Sequence, residues 1–193
     1  MSVLRDARRK VAIVGLRRRL ADGSNPAVDP TRTLDALRQA DRVLFLCHGN
    51  ICRSPLAERY LRRRLEATGG RDLAVDSAGF IEAEGRPSPL DAVTAARKHG
   101  VELSGHRSKR VTPSLVEAAD VVVLMDATNY FHFDREFGAV DATVGFLGPL
   151  AGGTADVEIP DPYGGDAATF DRAYDRVCRA VDGLVAGLSR RSR

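Results

Sequence analysis

Hydrophobic residues recur along most of this chain as short apolar runs, separated by stretches with helical spacing. From Val43 onward the runs have the length of buried strands, and the stretches between them have the periodicity of helices. Alternation of this kind is typical of a parallel sheet with helices on both faces. We therefore expect an α/β fold: a single three-layer domain with a four-stranded parallel sheet flanked by helices, plus an N-terminal helical extension.

Proline and glycine residues mark the ends of several expected elements. Pro55 suits the first turn of a helix, Ser54 suits its N-cap, and Gly69-Gly70 would close it. Strands are expected at Arg42–Leu46, Leu73–Asp76, Val121–Met125 and Ala142–Phe146. Helices are expected at Pro55–Ala67, Pro89–His99, Pro113–Ala118, Thr128–Glu136 and Ala168–Leu188.

The residues before Val43 have a different pattern. Leu4, Val11 and Leu20 recur near helical spacing among arginines, and Asp29-Pro30 can start a second helix that runs through Gln39. Two interpretations of this extension, residues 1–42, stay open. It is a helical or partly disordered appendage of the main domain at 43–188, or its residues 1–20 form a surface that contacts an anionic membrane or an acidic partner.

Charge is distributed unevenly along the chain. Residues 1–42 hold ten Lys/Arg and five Asp/Glu, whereas residues 43–193 hold nineteen and twenty-one, so the extension supplies the net charge of +3. The tail at 189–193 is also basic. No recognition motif or set of aromatic stacking positions accompanies this charge, so we expect no nucleic-acid partner. No apolar stretch is long enough to span a bilayer, and no secretory signal opens the chain.

Cys47 and Arg53 stand at the two ends of a short segment that follows the apolar run Val43–Leu46. A buried strand that ends in a thiol and turns sharply into a helix directs backbone N–H groups and the positive end of the helix dipole at one point. Such a point favours an oxyanion, and it favours the thiolate form of the cysteine. Arg53 adds a planar fork that matches two phosphate oxygens. The segment therefore predicts a phosphate site with a nucleophile at its floor.

This segment resembles the signature of the low-molecular-weight protein tyrosine phosphatase family, Cys-x-Gly-Asn-x-Cys-Arg-Ser-Pro. The matching residues of this chain are Cys47, Gly49, Asn50, Cys52, Arg53, Ser54 and Pro55. Further downstream, Asp161-Pro162-Tyr163 matches the Asp-Pro-Tyr loop of the family, and Asp76–Gly79 and Val121–Asp126 follow in family order. The resemblance covers roughly residues 43–188.

The resemblance implies an enzyme that hydrolyses phosphotyrosine esters through a phosphocysteine intermediate. Cys47 would attack phosphorus, and Asp161 would protonate the leaving phenolate and then accept a proton from the attacking water. Arg53 and the N–H groups of the loop would stabilise the equatorial phosphoryl oxygens. No cofactor is implied, and the chain has no His/Cys/Asp cluster with metal-ligand spacing.

Several further residues are expected to bind or support the phosphate. They are His48, Gly49, Asn50, Ile51, Cys52 and Ser54 of the loop, with Phe80 and Tyr163 at its mouth. The resemblance implies that Asn50 helps to hold a left-handed turn of the loop, and we expect it to bond Ser77 or His106. Ser54 has two compatible roles, as the helix cap and as a hydrogen-bond donor to the thiolate.

The mouth of the site carries the expectations about substrate. Phe80 and Tyr163 would wall it with aromatic rings, but Gly164-Gly165 follow where many family members have a second aromatic residue, so one wall is expected to be more open. A narrow cradle favours a long aryl phosphate over phosphoserine. Ile51 argues against the related arginine phosphatases, which favour Thr there. His48 departs from the family, and either contacts the thiolate or substrate or points outward into solvent.

Cysteine usage bears on redox chemistry and compartment. Cys52 is either a disulfide partner that protects Cys47 from oxidation or a small buried side chain, and both interpretations stay open. Cys178 is expected in a helix core. Three cysteines in 193 residues do not suggest a disulfide scaffold, and a catalytic thiolate requires a reducing compartment, so we expect a cytoplasmic protein.

Two alternative functions stay open beside the phosphatase. Arsenate reductases share this fold and loop, but they pass a disulfide to two further cysteines, and residues 81–120 contain none. The other alternative is a non-catalytic phosphate-binding regulatory module. The expected partner of a phosphatase is a phosphotyrosine-bearing protein. A tyrosine kinase is a candidate, because bacterial members of the family often oppose tyrosine kinases that control surface polysaccharide.

Overall fold

A computed structural model describes residues 2–69, 72–152 and 157–189 of the chain. The predicted basic tail falls outside these ranges from residue 190 onward. Within the described ranges, no helix contains an apolar run long enough to cross a lipid bilayer.

Four parallel strands form the sheet, in the order β2-β1-β3-β4. They are β1 (Arg42–Cys47), β2 (Ala74–Gly79), β3 (Val121–Leu124) and β4 (Thr143–Phe146). The expected parallel α/β sheet is confirmed. Strand β2 runs three residues further than the sequence pattern predicted, because its pairing with β1 continues to Gly79, which lies opposite Cys47. The end of β2 therefore lies directly beside the reactive segment.

In the described ranges, seven α-helices accompany the sheet. They are α1 (Ser2–Ala21), α2 (Pro30–Gln39), α3 (Arg53–Thr68), α4 (Leu90–Lys98), α5 (Pro113–Glu117), α6 (Ala127–Phe137) and α7 (Ala167–Ser189). Helices α3 and α7 pack together over one face of the sheet, while α1 and α6 pack together over the other. The three-layer arrangement predicted from the alternation of runs is confirmed.

Helix α3 differs from the prediction at its start and agrees with it at its end. It begins at Arg53, two residues before Pro55, and Ser54 does not cap it. The Ser54 hydroxyl instead donates toward Cys47 Sγ and lies 3.3 Å from the carbonyl oxygen of Ala78. The buried contact with the thiol thus replaces the expected cap. The helix ends at Thr68, and Gly69 closes it in a left-handed conformation, as expected, whereas Gly70 lies outside the described residues.

Both helices of the N-terminal segment pack on the rest of the molecule. In α1, Leu16 and Leu20 are buried in the hydrophobic cluster that lies under α6. Helix α2 crosses the edge strand β4, where a side chain at Gly145 would collide with Thr33. The glycine therefore allows α2 to approach the sheet closely. The described part of residues 1–42 has the helical form that the sequence predicted.

Candidate active site

The segment between β1 and α3, residues 48–52, forms a tight loop whose shape depends on Asn50. Asn50 has φ 51°, which makes it the one non-glycine residue in the described ranges with a left-handed conformation. Its amide nitrogen donates to Ser54 Oγ at 3.0 Å and to Ser77 Oγ at 2.9 Å. Its side-chain oxygen accepts the N–H of Lys109 at 2.9 Å. These bonds fix the turn from inside the protein.

Two further contacts hold the loop from behind. His106 Nε2 lies 2.7 Å from the carbonyl oxygen of Asn50, so the structure contains both of the partners that were alternatives for Asn50. A Cβ at Gly79 would lie 2.7 Å from the backbone nitrogen of Asn50, closer than side chains tolerate. Only glycine at the end of β2 lets the loop pass this close. Burial lowers the pKa of His106, although its bond to the Asn50 carbonyl opposes that shift.

The nucleophile candidate lies at the end of β1. Cys47 is buried, and its Sγ accepts a hydrogen bond from the Ser54 hydroxyl at 3.1 Å. Ser54 is in turn bonded by Asn50, so the thiol and the turn belong to one network. A hydroxyl aimed at sulfur stabilises its anionic form. The predicted contact between Ser54 and the thiol is therefore present.

Arg53 lies beneath the loop with 1% of its side chain exposed. Its Nη1 donates to Asp126 at 2.5 Å and to the carbonyl oxygen of Ile159 at 2.9 Å, and its Nη2 pairs with Asp161 at 2.7 Å. Burial by itself lowers the pKa of Arg53, but Asp126, Cys47 and Asp161 outweigh it, so the net shift of that pKa is upward. Its buried Nε has no partner among the described residues.

Asp161 reaches the same site from a different part of the chain. The backbone N–H of Ile159 donates to the carbonyl oxygen of Met125 at 2.7 Å, which ties this segment to the end of β3. The Asp161 side chain is 36% exposed, and it accepts the N–H of Tyr163 at 3.3 Å as well as pairing with Arg53. The structure thus brings the three predicted catalytic residues together.

A cavity of about 320 Å³ opens over the loop. Of the predicted site residues, those that line it are Cys47, His48, Gly49, Ile51, Cys52, Asp161 and Tyr163. Asn50 and Ser54 are fully buried behind the loop, where they support it. The cavity is the natural place for a phosphate ester, because thiol, guanidinium-paired carboxylate and loop backbone meet there.

Phe80 does not line this cavity, which corrects the expectation that it walls the mouth. Its N–H donates to the carbonyl oxygen of His48, and its ring is buried against the ring of His132 with centroids 5.6 Å apart. Because the chain turns at the end of β2, the next residue, Ile81, lines the cavity in its place. Tyr163, with 65% exposure, does stand at the mouth as expected.

His48 lies between the cavity and α6. It lines the cavity, and its ring centroid is 5.8 Å from that of His132. Its Nδ1 is buried and has no partner among the described residues. Of the two orientations left open for His48, the structure therefore has the imidazole in contact with the site rather than turned outward into solvent.

Cys52 has the environment of a buried thiol. It is free, its carbonyl oxygen accepts the hydroxyl of Tyr174 at 3.1 Å, and burial raises the pKa of its thiol, with Cys47 and Asp161 adding to that shift. Cys178, on α7, is also buried and free, and burial raises the pKa of its thiol to about 12. Burial therefore favours the neutral form of both of these thiols.

Three residues of the site, Ile81, Asp126 and Arg86, were not predicted from the sequence. Asp126, which holds Arg53, directly follows the apolar run of β3, and a polar residue at the carboxyl end of a neighbouring strand is a usable signal. Arg86 lines the cavity and donates from Nη2 to the carbonyl oxygen of Gly49 at 2.7 Å. It comes from an irregular segment, so only tertiary contacts place it and no local pattern could have identified it.

Comparisons with known proteins agree on one family. Residues 42–193 match the family model of low molecular weight phosphotyrosine protein phosphatases. The probable low molecular weight protein-tyrosine-phosphatase EpsP of Ralstonia nicotianae is 34% identical over 143 residues, which are 74% of this chain and 92% of that protein.

Solved structures give the same result for the fold. The tyrosine phosphatase Wzb from Escherichia coli K30 in complex with sulphate has a TM-score of 0.68 and 29% identity, over 78% of this chain and 99% of that one. The YwlE arginine phosphatase from Geobacillus stearothermophilus has a TM-score of 0.64 and 31% identity, over 75% of this chain and 90% of that one. The family match begins at β1, so α1 and α2 lie outside it.

Proposed function

This chain belongs to the low-molecular-weight protein tyrosine phosphatase family, and we propose that Cys47, Arg53 and Asp161 carry out its hydrolysis of phosphotyrosine esters. One observation carries this assignment. Cys47 and Asp161 line the same cavity, and Arg53 lies under both, paired with Asp161 at 2.7 Å. A nucleophile, an anion-binding fork and a carboxyl group are thus within reach of one bound phosphate.

In the first step, the sulfur of Cys47 attacks phosphorus and the bond from phosphorus to the phenolic oxygen breaks. Asp161 gives its proton to that oxygen, so that tyrosine leaves as a neutral phenol. The Arg53 guanidinium and the backbone N–H groups of residues 48–52 stabilise the charge on the three equatorial oxygens. The step ends with phosphocysteine and an Asp161 carboxylate.

In the second step, a water molecule attacks the phosphocysteine while Asp161 accepts its proton. The sulfur–phosphorus bond breaks, inorganic phosphate forms, and Cys47 leaves as a thiolate. The Ser54 hydroxyl, 3.1 Å from the sulfur, stabilises that leaving group. The Asp161 carboxyl is therefore proposed to act as acid first and as base second.

Substrate binding is proposed to change the pairing of Arg53. Without a phosphate, Nη2 of Arg53 holds Asp161 while Asp126 holds Nη1. An incoming phosphate competes for Nη2 and for the unpartnered Nε, but Asp126 keeps the guanidinium in place. Asp161 is then free to turn toward the ester oxygen. Its 36% exposure leaves it room to do so.

The walls of the cavity support an aryl ester as substrate. Ile51 and Ile81 give it apolar sides, and the exposed ring of Tyr163 can stack on a phenyl group at the mouth. We propose that the substrate is a phosphotyrosine-bearing protein. From the family resemblance alone, we propose that this substrate protein is a tyrosine kinase. A working thiolate must stay reduced, so we also propose that the enzyme acts in the cytoplasm.

Replacing Cys47 tests the assignment. We expect Cys47→Ser to lower hydrolysis of phosphotyrosine by at least about a thousandfold, since an alkoxide is not available at neutral pH, while vanadate still binds the intact loop. Cys178→Ser removes a buried thiol on α7 and serves as the matched control, with turnover close to wild type. Substantial turnover by Cys47→Ser, or faster hydrolysis of phosphoarginine than of phosphotyrosine by the wild type, contradicts the proposal.

A further inference from the structure

An ion pair joins the N-terminal helix to the segment that carries Asp161. The Nε of Arg17, on α1, donates to both carboxylate oxygens of Glu158, at 3.0 Å and 3.3 Å. The two residues are 141 positions apart in sequence. Because α1 lies outside the region matched by the family model, this contact is a feature of the extension and not of the shared catalytic core.

Glu158 is itself part of the framework of the site. Its Oε1 accepts the backbone N–H of Ala127 at 2.8 Å, at the first turn of α6. Asp126, which directly precedes Ala127, accepts a hydrogen bond from Arg53. On the other side of Glu158, the carbonyl oxygen of Ile159 accepts a hydrogen bond from Arg53. Glu158 thus connects the start of α6 to a backbone segment that reaches Asp161 three residues later.

Arg17 is held on a helix that is itself anchored. Leu16 is 4% exposed and Leu20 is 3% exposed, and both are buried in the cluster under α6. The backbone of Arg17 is therefore fixed against the same helix whose first turn Glu158 bonds. The side chain of Arg17 is 54% exposed and that of Glu158 is 30% exposed, so the pair is partly screened by solvent.

We propose that Arg17 is a positioning residue for proton transfer: through Glu158, it fixes the segment that presents Asp161 to the leaving group. The inference rests on the proposed function, in which Asp161 is the general acid. The contact adds a further anchor to a segment that is also tied to the end of β3, to Arg53 and to the first turn of α6. Small displacements of a catalytic group cost rate, so an anchor of modest strength has a measurable effect.

The test compares two substrates that differ in their need for a proton. For Arg17→Ala in the full chain, we expect kcat/KM to fall about three- to fivefold with phenyl phosphate and by less than about twofold with p-nitrophenyl phosphate, whose leaving group needs little protonation. The matched control is Arg18→Ala, which removes the same charge from an exposed neighbouring position. It should leave both values near wild type.

A second variant tests the path through Glu158. Glu158→Gln keeps an oxygen for the Ala127 N–H but removes the charge that Arg17 binds. If Arg17 acts through Glu158, the double variant Arg17→Ala/Glu158→Gln loses no more than Glu158→Gln alone. Independent losses that multiply in the double variant overturn the inference. So does an Arg17→Ala enzyme that matches Arg18→Ala, or one that slows both substrates equally.

Asp161→Ala, measured beside these variants, distinguishes a wrong general acid from a wrong positioning role of Arg17. If it loses turnover of phenyl phosphate while Arg17→Ala behaves like Arg18→Ala, the acid is correct and only the positioning role is wrong. If Asp161→Ala hydrolyses phenyl phosphate like the wild type, the acid itself is misassigned and the inference falls with it.

Discussion

The phosphate loop and the acid segment meet in one cavity, but they are held there in different ways. The phosphate loop, residues 48–52, is a continuous stretch between the buried strand β1 and helix α3. The side chains of Asn50, within the loop, and Ser54, just after it, are fully buried and support it. The acid segment, residues 158–163, has no regular structure and exposes Tyr163. It is fixed by a few contacts from α1, α3, the first turn of α6 and the end of β3.

The difference separates the two tasks that the enzyme performs. Charge stabilisation needs donors that do not move during the reaction, and the buried network of the loop provides that. Proton donation needs a group that can turn from Arg53 toward an ester oxygen and back, and a half-exposed carboxylate on an irregular segment suits that task. Substitutions on the two sides should therefore have distinguishable kinetic effects.

Apart from the loss of the nucleophile itself, the largest expected effect comes from breaking the acid segment. Asp161→Ala should lower kcat/KM for phenyl phosphate by about a hundred- to a thousandfold, because a poor leaving group depends on the proton that Asp161 supplies. With p-nitrophenyl phosphate the loss should be about tenfold or less. The measurement is kcat/KM for a series of aryl phosphates that differ in the pKa of the phenol.

An exposed carboxylate further along the same connection, just before α7, controls for the change in charge. Asp166, which caps the start of α7 through Thr169, lies outside the cavity lining, so Asp166→Ala should leave the dependence on leaving group unchanged. Equal losses across the aryl phosphate series for Asp161→Ala would rule out proton donation by Asp161.

The next largest effect is expected from a substitution that disrupts the loop. Asn50→Ala removes the bonds to Ser54, Ser77 and Lys109 and leaves alanine in a left-handed turn. We expect a loss of about 2–4 kcal/mol in the free energy of unfolding, and a fall in kcat/KM of about ten- to a hundredfold. Both aryl phosphates should be affected equally, since the loop binds the phosphoryl group and not the phenol.

The matched control is Asn129→Ala, which truncates an equally buried asparagine on α6 whose side-chain amide has no partner among the described residues. It should cost less stability than Asn50→Ala in urea unfolding and leave both substrates nearly unaffected. An Asn50→Ala enzyme that slows phenyl phosphate much more than p-nitrophenyl phosphate would contradict the division of tasks.

The same contrast explains how far the sequence could predict the site. The loop could be predicted because strand, thiol, turn and helix are contiguous, so Cys47 and Arg53 followed from the local pattern, whereas the turn at Asn50 followed from the family resemblance. Asp161 was found by its motif, but what fixes its segment was not, since Arg17 and Glu158 meet only through tertiary packing. Phe80 was misplaced because the two faces at the end of β2 cannot be distinguished without knowing how the chain turns.

The smallest expected effect concerns the histidine under the loop. The pKa of His106 is lowered chiefly by burial, with Arg59 and Lys109 adding to the shift and the Asn50 carbonyl and Glu58 opposing it. Below the ordinary histidine pKa of about 6.5, the unfolded chain therefore binds more protons than the folded one. Stability contributed by neutral His106 is present above that pH, and it is lost as the pH falls from there toward the lowered pKa of the folded state.

Urea unfolding at pH 7.5, 6.5 and 5.5 measures this loss. The acid-dependent fall in the free energy of unfolding should be smaller in His106→Gln, whose amide can still donate to the Asn50 carbonyl but does not titrate. Because His106 contacts the loop and not the acid segment, the variant should also keep the wild-type dependence of kcat/KM on the leaving group. Identical pH profiles of stability in the two proteins would show that the imidazole under the loop does not titrate in this range.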